Sequence, residues 1–177
     1  MEYKSIADIY AANERFRNEL KMTLDPISDQ DAAREIEGSK WTIRQIVEHV
    51  AIVENGISRI CRRLLDAAKQ AGKPAKGGFE LSSAFSENMN LLATQKLEAP
   101  EQVHPTGNVA IADSLGLMRS TESIYTEMHD DLAAFDLSVA KSPHPYFGDL
   151  DALEWMILKG LHEARHTAQI RRLSPNP

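Results

Sequence analysis

The chain has 177 residues, with 20 Lys+Arg against 26 Asp+Glu, a formal net charge of -6 and 42% hydrophobic residues. An acidic balance argues against a nucleic-acid binder or a polybasic membrane anchor, and this apolar content argues against disorder. One cysteine leaves no intrachain disulfide, and no apolar run approaches the roughly 20 residues that span a bilayer.

At roughly 100–200 residues per domain, the length predicts a single domain over 1–177. The opening residues lack a cationic stretch followed by an apolar one, so no secretion signal is expected and the predicted location is the cytoplasm. Six histidines are the conspicuous chemical resource.

Leu, Ala, Glu, Arg and Lys are frequent, and clean period-2 alternation is hard to find, which predicts an all-α fold. The first helix is expected from Ser5 to Leu24, with Ser5 as N-cap and Asp25-Pro26 as its stop. Ser28-Asp29-Gln30-Asp31 suggests one helical turn within a linker. The second long helix is expected from Trp41-Thr42 to Ala71. Thr42 is its N-cap candidate and Gln45 the capping-box partner. Its apolar residues, from Ile43 to Leu65, cluster within about 140° of a helical wheel. Gly72-Lys73-Pro74 ends it.

Residues 72–108 read as an excursion over one end of the fold, with loop at Gly77-Gly78 and a short helix between Ser83 and Leu97 carrying Phe85, Met89 and Leu92. The third long helix is expected from Asn108 to Phe135. A proline-stiffened loop follows at 142–148. The fourth helix is expected from Asp149 to Leu173, with acidic residues at its start and Arg171-Arg172 at its end, as the helix dipole favours. A frayed tail closes the chain at 174–177. Four long helices predict a four-helix bundle.

His162 and His166 sit four apart, which places their Cβ atoms about 6 Å apart on one helix face, within reach of a single ion. The stretch His162-Glu163-Ala164-Arg165-His166 matches H-E-x-x-H, which makes Glu163 the candidate base. In the zinc-peptidase use of that pattern the third ligand follows downstream. Thr167 to Pro177 contain no His, Asp, Glu or Cys, so a third ligand must come from upstream. His49, at the edge of the apolar stripe of the second long helix, is the best candidate. His104, His129 and His144 read as solvated bystanders, although His144 and Tyr146 precede the fourth helix and could reach the rim of a site. Cys61 falls on the apolar stripe and reads as a core residue. Glu54 lies near that stripe as a buried carboxylate with no partner legible in the sequence.

The stretch Trp41-Thr42-Ile43-Arg44-Gln45-Ile46-Val47-Glu48-His49-Val50 resembles the start of the second helix of DinB/YfiT-like proteins. Pro145-Tyr146-Phe147-Gly148, Glu154-Trp155 and His162 to Ile170 resemble that family's fourth helix with its H-x-x-x-H. The resemblance implies an up-down-down-up four-helix bundle holding one divalent metal on His49, His162 and His166, often as a homodimer. It also implies small-molecule chemistry, either hydrolysis or thiol-dependent S-transfer with a low-molecular-weight thiol.

Three neutral imidazoles leave a coordination position open, the arrangement of a catalytic metal. Zn, Ni, Fe and Mn all accept such ligands. Glu163 lies about 100° around the helix from His162, so the alternatives to a base are that it orients a ligand or faces solvent. The competing readings are a metal-dependent enzyme, a metal-binding or stress-associated protein without turnover, and a peptidase that depends on Glu163.

Overall fold

The computed structural model describes residues 3–77, 79–94 and 98–174. Six α-helices and one small hairpin appear among them: α1 (Ile6–Leu24), α2 (Asp29–Ala33), α3 (Ile43–Ala71), α4 (Ser83–Thr94), α5 (Ile111–Ala134), β1 (Ser142–His144), β2 (Gly148–Leu150) and α6 (Ala152–Leu173). The four long helices α1, α3, α5 and α6 form the bundle.

Local chemistry sets the helix ends. Ser5 accepts from the Asp8 amide and so caps α1. Thr42 and Gln45 form the reciprocal capping box at the start of α3, and Gly72 closes that helix at φ 64°, a left-handed position that glycine takes without a Cβ penalty. Ser28 caps the short turn of α2.

Side-chain pairs fix the helix directions. Asn13 bonds the Met156 carbonyl and Arg171 bonds Thr23, so α1 and α6 run the same way. His49 faces His162 while Cys61 faces the Ala152 carbonyl, so α3 and α6 run oppositely. The ends of α3 and α5 meet where the Ala75 amide bonds Ala134 and the Asp136 amide bonds Lys73. Their starts meet where Glu48 accepts from the Thr106 and Gly107 amides. Helices α3 and α5 are therefore parallel, which gives the up-down-down-up order.

Parallel neighbours require a connection that travels back along the bundle. Residues 72–110 supply it. Pro74 pairs with Phe135 in an isolated bridge, Phe85 buries its ring near Phe147, and a 3-10 turn at Glu101–Val103 arrives beside His49. The excursion therefore runs the length of the bundle rather than covering one end.

Two boundaries differ from the sequence expectation. Helix α5 begins at Ile111, not Asn108. Helix α6 begins at Ala152, because Asp151 caps it and Glu154 returns the bond to the Asp151 amide. Asp149 instead belongs to β2, where it lies opposite Pro143. The expected helix end at Leu97, Gly78, the side chains of Met89 and Leu92, and the tail beyond Ser174 lie outside the described residues.

Apolar residues fill the bundle in two clusters. The larger joins α3, α5 and α6 through residues such as Leu65, Met128 and Ile157, and includes Cys61 as a core residue. The smaller gathers Leu20, Ile46, Val50, Met118 and Ile170 at the other end. No described helix is long and apolar enough to cross a membrane.

Candidate metal centre

His49 lies in the second turn of α3, and His162 and His166 lie one turn apart on α6. Because the two helices are antiparallel neighbours, the three imidazoles meet. His162 Nε2 stands 3.1 Å from His49 Nε2 and 3.1 Å from His166 Nε2. All three ligand atoms fall within 4.8 Å of one another, and this is a group of three that could hold a metal ion. His49 and His166 are buried and His162 is half-buried, so the cluster sits at a margin rather than in the core.

The partners of the outer ring nitrogens set the tautomers. His49 Nδ1 donates to the Val103 carbonyl at 2.8 Å. His166 Nδ1 donates to Gln169 Oε1 at 2.9 Å. Each ring then turns an unprotonated Nε2 inward, as a metal ligand requires. His162 Nε2 carries at most one proton and can satisfy only one of the two lone pairs facing it. At least one pair of ring nitrogens at 3.1 Å therefore presents lone pair to lone pair, an unfavourable contact that a cation at the shared point would remove. The spacing also fits: an edge of a tetrahedron of imidazole ligands around zinc is about 3.3 Å.

The rings are held neutral. Burial lowers the pKa of His49, with His104 adding to that effect and the Val103 bond opposing it. Burial, then His166 and His49, lower His162 well below the usual value. Burial and His49 lower His166 to about 4. Neutral rings need lose no proton to bind a cation near pH 7.

Aromatic side chains surround the cluster. Trp41 packs on the His49 ring at 4.8 Å, and His104 packs edge-on against Trp41 at 5.8 Å. His144 lies against Phe147 at 4.8 Å and Trp155 at 5.2 Å, and burial lowers its pKa to about 4. His104 and His144, expected as solvated bystanders, are half-buried against rings and stand outside the three-histidine group. His129 is exposed beside Asp130.

Glu163 points elsewhere. Its carboxylate is 1% exposed, and Arg17 Nε donates to Oε1 at 2.6 Å and Arg17 Nη2 to Oε2 at 3.1 Å. Lys159 Nζ stands 3.4 Å from the same carboxylate. The 100° step from His162 turns this side chain toward the bundle interior, where Arg17 and Lys159 engage it. A base beside His162 is therefore not what Glu163 supplies in this arrangement. Glu54, whose partner the sequence left open, bonds the same Arg17 and stands 3.5 Å from Lys159.

Sequence reasoning missed Val103 and Gln169, the two acceptors that fix the ligand tautomers. Gln169 had a signal, since it follows His166 by three residues on one helix. Val103 had none, because a backbone carbonyl carries no side-chain signature.

An antiparallel helix pair that presents three neutral imidazoles at the edge of a bundle defines a class, the helical-bundle proteins with a possible three-histidine site. Residues 12–170 match the DinB superfamily, and the chain belongs to that superfamily. It is similar to the Bacillus subtilis (strain 168) protein described as "Uncharacterized protein YuaE", with 22% identity over 159 residues, covering 88% of each chain. The solved structure of TT2238, described as a four-helix bundle protein, shares the fold at a TM-score of 0.60 and 21% identity, covering 94% of this chain and 98% of that one.

Proposed function

We propose that this protein is a metal-dependent enzyme that acts on a small molecule through a divalent ion on His49, His162 and His166, by hydrolysis or by thiol-dependent S-transfer. The convergence of three neutral Nε2 atoms, two with tautomers fixed from outside, carries the reading. Three protein ligands leave room for an exogenous one, and a bound divalent ion would acidify a water or thiol there. His49 and His166 hold the site rigid from buried positions. Half-buried His162 marks the side from which a substrate would enter, with Trp41, His104 and His144 nearby. Zn, Ni, Fe and Mn all remain candidates for the ion. The homodimer implied by the family resemblance belongs to the same proposal and is checked by light scattering in solution.

The test is metal analysis of protein purified and then reconstituted with each of these ions. The expected result is about one ion per chain, lost in His162→Ala and in His49→Ala. A parent protein that holds no ion above background after reconstitution sinks the reading. A filled site with no turnover across thiol and hydrolytic substrates favours a binding protein instead.

A further inference from the structure

Beneath the histidines lies a buried charged cluster that the proposed chemistry does not use. Arg17 on α1 is 2% exposed, and its guanidinium reaches the three other long helices. It bonds Glu54 on α3, Glu122 on α5 at 2.7 Å and Glu163 on α6 at 2.6 Å. Lys159, 5% exposed, adds ion pairs to Glu54 and Glu163. Glu163 is the chain neighbour of His162, and Glu54 follows His49 by five residues. His162, Lys159, Glu54 and Glu163 line one narrow gap between α3 and α6.

Such a cluster is a poor stabiliser. Burying charges costs desolvation that their attraction seldom exceeds, and well-packed apolar replacements are often as stable or more so. Geometry is what a guanidinium fork does specify, since its donors fix the direction and distance of each carboxylate.

We propose that Arg17 and Glu163 are positioning residues: their clasp sets the rotation of α6 against α3, so that His162 and His166 meet His49. The proposal rests on the metal reading above. A rotation of α6 by a fraction of a turn would swing both histidines away from α3 together, because they share one helix face.

The test replaces the buried cluster by apolar residues, Arg17→Met, Glu54→Leu, Lys159→Met and Glu163→Leu in one chain. The clasp predicts unfolding stability equal to or above the parent in the metal-free state, with affinity for zinc lowered about 10–100-fold, the usual cost of losing support around metal ligands. A merely structural cluster predicts the reverse: lower stability and parental zinc affinity. Should the fourfold variant not fold, Arg17→Lys keeps the charge but loses the fork and is expected to lower zinc affinity at least about tenfold. Parental affinity in either folded variant overturns the proposal.

A second readout needs no metal. In the metal-free parent, a proton on His162 Nε2, which faces the Nε2 atoms of His49 and His166, is expected as a slowly exchanging imidazole resonance in nitrogen-15 NMR, and it is expected to vanish in the variants. A parent that keeps this resonance but binds no zinc sinks the metal reading alone. A variant that keeps it sinks the clasp.

Discussion

His49 donates its Nδ1 proton to the Val103 carbonyl, 54 positions further along the chain. The ligand comes from the helix, but its tautomer is fixed by the returning connection. His166 solves the same problem locally, through Gln169 one turn away.

That difference makes Gln169 a testable support. Gln169→Leu removes the acceptor for His166 Nδ1 and frees the ring to turn or change tautomer. Zinc affinity is expected to fall about 10–100-fold with the fold intact. Competition against a chelating dye measures it, and an affinity equal to the parent's would refute the supporting role.

Acid should destabilise the metal-free protein in a defined window. His166 titrates at about 4 when folded and at 6.5 when free. Between those values the unfolded chain binds a proton that the folded chain refuses. The stabilisation is thus whole above pH 6.5 and lost as pH falls toward 4. At pH 5 the loss from His166 is about 2 kcal/mol. Urea unfolding at pH 7.5 and 5.0, for the parent and His166→Gln, isolates it. Equal pH slopes in the two proteins would contradict the assignment.

At Gly160, α6 packs close against Asn13 and Phe16 of α1. A Cβ built there would lie 2.0 Å from Asn13 Oδ1 and 3.1 Å from the Phe16 ring. Asn13 is not free to leave, because its amide bonds the Met156 carbonyl at 3.2 Å. Gly160→Ala is therefore expected to cost about 1–3 kcal/mol, even though alanine gains about 1 kcal/mol of helix propensity. Denaturant midpoints decide it, and a stabilised variant would show that the helices separate readily.

Cys61 is fully buried, and burial pushes its thiol pKa up. It should ignore a thiol reagent such as dithionitrobenzoate in native buffer and react once per chain after unfolding. Rapid labelling of the native protein would mean that the core opens at this point.

Much of the bundle was legible beforehand. The Ser5 and Thr42 caps and the α3 stripe were written in local chemistry, and the i,i+4 spacing of His162 and His166 needed only helix geometry. His49 could be found because a histidine at the edge of an apolar stripe faces a neighbouring helix. The hairpin at 142–150 was not legible, since three-residue strands are too short to show alternation. The Asp151–Glu154 capping box was present as a spacing but lay inside a segment read as already helical. Arg17 was the hardest. Its three carboxylates lie 37, 105 and 146 positions away, and nothing near it in the chain announces them.

The parallel course of α3 and α5 has one more consequence. A chain that must retrace the bundle brings its returning stretch next to the histidines, at Val103. Length and side chains can change in that stretch while the four helices keep their packing. The approach to the cluster is then written partly in that stretch, while its three histidines are written in the helices themselves. An engineer could redraw side chains between residues 98 and 110, leaving helix-to-helix contacts alone and preserving the Val103 carbonyl, the Thr106 and Gly107 bonds to Glu48, and Gly107 itself, which sits at φ 82° against Gln45.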